Sequence, residues 1–196
     1  MKENKLKAKD FITIGIFTAL VFVVEFAYMM LGFIHPYVIL SYAVAIPVLC
    51  AIPMMLFYTK VEKFGMITIM SVLIAIIMFV TGMGWIGAPL IIAAGVIADL
   101  IAKKGNYKSF KSTVLSHGVF SIWVGANYIP LVVTADDYKK DMIKGGFSED
   151  YCNTLFNAVN GKTIALILLC CFIFGVVGAF IGKAVVRKHF EKAGIV

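Results

Sequence analysis

Few side chains in this chain of 196 residues could do chemistry, and most of them lie inside long apolar runs. Glu25 falls well within the first run, Asp99 near the end of the fourth and His117 early in the fifth. Ionisable groups in membrane-spanning segments are functional candidates by default, because burying charge in hydrocarbon is costly. Asp99 has Lys103 four residues on, on the same helical face, so a local ion pair explains it equally well. His117 has no partner at ligand spacing and suits a hydrogen-bonding core histidine. In the fifth run, Ser116, Phe120, Trp123 and Asn127 share one face of an α-helix, with His117, Ser121 and Tyr128 alongside. Trp85 opens the fourth run at the same level, Tyr37, Ser41 and Tyr42 open the second, and Asn153, Asn157 and Asn160 lead into the sixth. Aromatic faces with a few polar groups are what a small-molecule pocket looks like. The candidate substrate-binding residues are therefore Trp85, Trp123, Asn127, Tyr128, Glu25, Tyr37, Asn157 and Asn160. In this reading Trp123 stacks on a bound ring and Asn127 orients it by hydrogen bonds. The competing explanation is the aromatic belt at a membrane interface. Asn127 and Ser116 are not belt residues, which favours the pocket.

Several chemistries lack their signatures. No Cys/His spacing resembles a metal site. No Gly-x-Ser-x-Gly turn, external Cys-x-x-Cys or nucleotide-binding Gly-x-x-x-x-Gly-Lys-Ser/Thr run occurs. The expectation is a non-enzyme without a cofactor, any ATP-driven work belonging to partners. Cys50, Cys170 and Cys171 sit in apolar runs and Cys152 outside them, so no internal disulfide is expected.

The elements that must position these residues follow from composition. The chain is 61% hydrophobic, with mean hydropathy +0.95, against about 45–50% apolar residues in a soluble domain. We read an all-α integral membrane protein, a single domain over residues 1–196. Six apolar stretches near the spanning length are expected as transmembrane helices at about 11–34, 37–58, 64–80, 85–102, 110–133 and 163–182. The first follows four lysines, like a signal peptide, but runs too long and lacks a cleavage site. Fourteen of the eighteen basic residues fall before the first helix, after the sixth, or between helices two and three and four and five. The positive-inside rule then puts both termini in the cytoplasm. The net charge of +7 is thus a matter of topology, not of nucleic acid.

The long connection at 134–161 would lie outside the cell. Asp136 to Lys144 suits a short charged helix. After Gly145-Gly146, Ser148 can cap a second helix beginning Glu149-Asp150, with Tyr151, Leu155 and Val159 on one side and Cys152 and Phe156 beside them. Such a structured loop suits a lid or an interfacial helix lying on the bilayer. Small residues form stripes in three helices: Gly15 and Ala19; Gly84, Ala88, Gly95, Ala98 and Ala102; Gly175, Gly178, Ala179 and Gly182. Small stripes let helices approach closely in lipid.

The small-x-x-x-small pair Gly15/Ala19, the fourth-helix run Gly95-Val-Ile-Ala-Asp-Leu-Ile ahead of a basic loop, and six helices of this size resemble the substrate-capture (S) components of energy-coupling factor transporters. More narrowly, the chain resembles the Trep_Strep group of bacterial membrane proteins. The resemblance covers nearly the whole chain. It implies a multi-pass protein of the bacterial plasma membrane that binds a vitamin-like molecule near the outer surface, using the outer ends of helices four to six and loops one, three and five. It also implies docking through helix one, at Gly15 and Ala19, onto a transmembrane coupling subunit driven by two cytoplasmic ATPase subunits. The group's alanine-x-x-x-alanine motif has Gly15 in place of its first alanine here. A self-sufficient channel or exporter is the competing class, but intramembrane charge is sparse for a pore. A membrane enzyme fits less well. With no basic cluster on the outer side, the candidates suit a flat heterocycle better than a sugar phosphate.

Overall fold

Asp10, Ile14, Thr18, Val21 and Glu25 are the buried residues of α1 (Ala8–Leu31), forming one narrow stripe in which three members are polar. Ile12, Ile16, Leu20, Val23 and Phe26 on the same helix are exposed and apolar. A water-soluble helix shows the opposite arrangement, while a helix facing lipid turns its few polar groups inward. The computed structural model in which this is seen describes residues 5–83 and 85–191, with the backbone only at Met83 and residues 189–191. Gly84 of the small-residue stripe, and Lys2 and Lys192 of the basic set, lie outside the described residues.

Those residues are almost wholly helical and include no strand. Three helices are long and apolar enough to cross a membrane: Ala8–Leu31, Pro36–Lys60 and Gly161–Lys188. A fourth is added if the bent pair Phe110–Val133 and Ala135–Lys144 counts as one span, and Met66–Gly82 is a shorter apolar helix.

The helices close into a ring. α1 packs on α4 (Met66–Met78), α4 on α5 (Ala88–Lys104), and α5 on α6 (Phe110–Ser121). α6 packs on α10 (Gly161–Val185), and α10 on α2 (Pro36–Leu49) and α3 (Ala51–Lys60), which return to α1. Small residues set the spacing. A Cβ at Gly178 would meet Pro47 O at 2.7 Å and Ala51 Cβ at 3.0 Å, so α10 lies directly on the α2–α3 junction. Gly95 abuts Ser71 in the same way. Between α5 and α6, Ser116 Oγ donates to Ala98 O at 2.7 Å and pairs with Tyr58 OH at 2.7 Å.

Asp99 is not held by Lys103. Its Oδ2 accepts from Gly65 N at 2.8 Å, Thr68 N at 3.1 Å and Thr68 Oγ1 at 3.0 Å. It therefore caps α4 from the neighbouring helix, whose N-cap Gly65 has φ 103° and no side chain to do so. Lys103 lies over the Phe64 ring, 5.2 Å from its centroid. At the same end Lys63 pairs with Asp10 at 2.6 Å and Lys183 sits 3.5 Å from the Phe110 centroid, so this is the basic end of the bundle.

Two expected helices are broken. The second run divides at Cys50 into α2 and α3, between Pro47 and Pro53, each of which removes a helical N–H. His117 Nε2 lies 3.3 Å from the Pro47 carbonyl, to which it donates. The fifth run is α-helical only to Ser121, then winds as a 3₁₀ segment from Ile122 to Tyr128 before α7 (Pro130–Val133). Pro130 has no N–H to offer Ala126 O, which instead accepts from Ile129 N at 3.2 Å, three residues on. The consequence reaches the expected site. Four residues apart, Trp123 and Asn127 diverge by about 40° on an α-helix but by about 120° on a 3₁₀ helix. The shared face inferred for them does not exist.

Beyond α7 the chain bends by 97° into α8 (Ala135–Lys144), followed by α9 (Glu149–Ala158). Ser148 Oγ accepts from Tyr151 N at 3.2 Å and caps α9, with Glu149 and Asp150 in its first turn. α9 buries Cys152 and Leu155 and packs against α2, while α8 has no fully buried residue.

Candidate functional site

A cavity of about 530 Å³ lies between α8–α9 and the end of the bundle opposite the basic one. This is within the usual range for small-molecule sites. α1 gives one wall through Phe22, Glu25, Phe26 and Met29, successive members of one helical face. Ile39 and Tyr42 enter from α2, Met78 and Thr81 from the end of α4 and the π-wound residues Phe79–Met83 that follow it. The 3₁₀ segment supplies Asn127 and Tyr128, which its tight winding turns to this side. α8, the Gly145 turn and α9 form the roof with Tyr138, Asp141, Met142, Phe147 and Leu155.

Glu25 is the chemical centre. It is 2% exposed, and its carboxylate accepts from the Tyr42 hydroxyl. Asn127 lines the same cavity. The Asn127 amide nitrogen donates to Val124 O at 3.1 Å, a bond between residues three apart that 3₁₀ winding aligns. Tyr128 is spent on structure: its hydroxyl donates to Ile39 O at 2.7 Å and accepts from Ala43 N at 3.0 Å. Its ring is what it offers the cavity. The polar groups available to a ligand are therefore Glu25, Tyr42 and Asn127, set in walls of aromatic and methionine side chains.

The roof is latched to the loop between α1 and α2. Phe33 stacks on Phe147, centroids 4.9 Å apart and planes 12° apart. The Tyr151 hydroxyl donates to Gly32 O at 2.5 Å. Burial pushes the Tyr151 phenol up to about 12, with the neighbouring Cys152 adding to the effect, so it remains a donor at neutral pH. Within the roof, Lys139 Nζ donates to Asn153 Oδ1 at 2.6 Å and ties α8 to α9.

Of the eight residues expected from sequence, the fold brings Glu25, Asn127 and Tyr128 together at the cavity. Trp123 is 2% exposed and packs beside Phe120, centroids 6.5 Å apart, outside the cavity lining. Trp85 and Tyr37, 69% and 63% exposed, also lie outside it, and their exposure suits an interfacial belt. Asn157 is exposed on α9. Asn160 caps α10, accepting from Lys162 N at 3.0 Å and Thr163 N at 3.2 Å. The residues missed are Tyr42 as Glu25's partner, the aromatic face around Glu25, and the roof residues. The face was readable, since Phe22, Phe26 and Met29 stand three before, one after and four after Glu25. Among the described residues no cluster of three or more His, Cys, Asp or Glu could hold a metal.

The model of a family described as hypothetical bacterial integral membrane protein (Trep_Strep) matches residues 8–192, and the chain belongs to that family. No curated protein and no solved structure matches it.

Proposed function

We propose that this Trep_Strep integral membrane protein is the substrate-capture subunit of an energy-coupling factor importer, taking up a small vitamin-like molecule at the outer face of the cell membrane. The observation that carries the proposal is the roofed cavity, which a buried carboxyl and a half-buried amide line within apolar walls. In this reading the three long apolar helices are joined by three further spans, α4, α5 and α6–α7. The 17 residues of α5 reach about 25 Å, close to the hydrocarbon thickness. The basic end faces the cytoplasm, as lysine-rich ends do, which sets the cavity and its roof on the outside.

Two cytoplasmic ATPase subunits and a transmembrane coupling subunit complete the machine. Gly15 and Ala19 are exposed on α1, and a Cβ built on Gly15 meets nothing within 4 Å. This open small-residue surface supports close docking of a partner helix. The test is purification of the tagged full chain from its native membrane. Co-elution of an ATPase and ATP-dependent uptake by the reconstituted complex are the expected results. Solute flux through liposomes holding this chain alone would identify a channel and overturn the proposal.

A further inference from the structure

The charges around the cavity point to a substrate class. Two carboxylates line it, Glu25 in its depth and Asp141 at its rim, and no lysine, arginine or histidine does. The hydrogen-bond partner of Glu25, Tyr42, is neutral, and so is Asn127 in the same cavity. Asp141 is exposed, and its Oδ1 lies 3.4 Å from the exposed Lys144. Among the described residues, none that lines the cavity thus supplies a cation to the buried carboxyl. Leaving a buried carboxylate without a countercharge is costly, and a ligand cation removes that cost. The walls suit the same ligand. Aromatic faces attract cations through their ring quadrupoles, and Phe22, Phe26 and Tyr42 stand on the elements that carry or contact Glu25. Met29 and Met78 add soft, adaptable surface for an apolar body. An anion would meet Glu25, beside which no described residue that lines the cavity places a cation.

We propose that the cavity selects an organic cation, a protonated amine or cationic nitrogen heterocycle with an aromatic or apolar body, and that Glu25 is its counter-ion. This rests on the substrate-capture reading of the same cavity. The same charges select against carboxylate and phosphate compounds.

The test uses a matched probe series on the full chain in nanodiscs, washed free of bound ligand: 2-phenylethylammonium, 2-phenylethanol and 3-phenylpropionate, with their indole counterparts. Titration calorimetry should show the ammonium members binding about tenfold or more tighter than the alcohols and carboxylates. Glu25→Gln should weaken ammonium binding by about tenfold or more, and should lower the ammonium-over-alcohol preference by a similar factor. If Glu25→Gln does not fold, the wild-type series decides alone. Carboxylates binding as tightly as ammonium probes, no ammonium probe binding, or Glu25→Gln keeping full ammonium affinity would each overturn the proposal. The outcomes separate the two readings. Loss of cation selectivity in a protein that still co-elutes with an ATPase removes only the substrate class. Cation-selective binding by a chain that never associates with one removes only the importer.

Discussion

At the residue scale the site depends on Asn127 more than on its tryptophan neighbour. Asn127 lines the cavity with Glu25, while Trp123 is core. Asn127→Ala removes a hydrogen-bonding group from a buried polar cluster, worth about 1–3 kcal/mol, so ligand affinity should fall roughly 5- to 150-fold with the fold retained. Trp123→Ala should act through stability, at about 3–5 kcal/mol for a large core aromatic. Calorimetric titration with the copurifying ligand, beside thermal melts of both variants, separates the two. Equal affinity losses with equal melts would return Trp123 to the cavity. Asp99 shows a different role for an intramembrane carboxylate: it caps a helix with no side-chain cap of its own.

At the scale of elements, the 3₁₀ segment and the roof decide the site. The 3₁₀ winding separates Trp123 from Asn127, and at its end the N–H missing at Pro130 leaves Ala126 O to Ile129 N. The roof hangs on α7 at one end and on the Phe33–Phe147 and Tyr151–Gly32 contacts at the other. Between α8 and α9, Gly146 has φ 100°, a conformation glycine adopts freely, which makes it the natural hinge. Phe33→Ala removes the stacked pair, worth about 0.5–1.5 kcal/mol beyond area burial, so the ligand off-rate should rise roughly 2- to 13-fold. Stopped-flow release measures this, and an unchanged off-rate would make the roof a fixed surface. The latch also has a pH signature. The Tyr151 phenol is raised from 10.0 to about 12, so its contribution is complete below pH 10 and is lost as pH rises through about 12. Roof release should therefore be flat across neutral pH and accelerate only in that alkaline window.

At the scale of the molecule, the outer surface is apolar and the polar groups point inward, the arrangement a bilayer requires. α1 serves two sides at once. Its buried stripe ends in Glu25 at the cavity, and its exposed face carries Gly15 and Ala19. Leucine at both positions would fill the open surface without touching the stripe. On the importer reading, the double variant should keep its ligand affinity and lose its association with the proposed ATPase subunits in pull-down assays. Retained partners would move the docking surface off α1.

The sequence alone determined the membrane setting, the helical class and the cap of α9, because apolar run length and a Ser ahead of two acids are local signals. It also singled out Glu25, whose charge stands alone in an apolar run, and Asn127. It could not separate Asn127 from Trp123, because their divergence depends on a change of helix type that only hydrogen-bond geometry reveals. It paired Asp99 with Lys103, the neighbour visible along one helix, while the partner that won lies on another. Tyr42 meets Glu25 across seventeen residues, and Phe33 meets Phe147 from a loop far away in the sequence. Such contacts follow from how helices pack and where the chain bends after α7, and residue spacing carries no record of either.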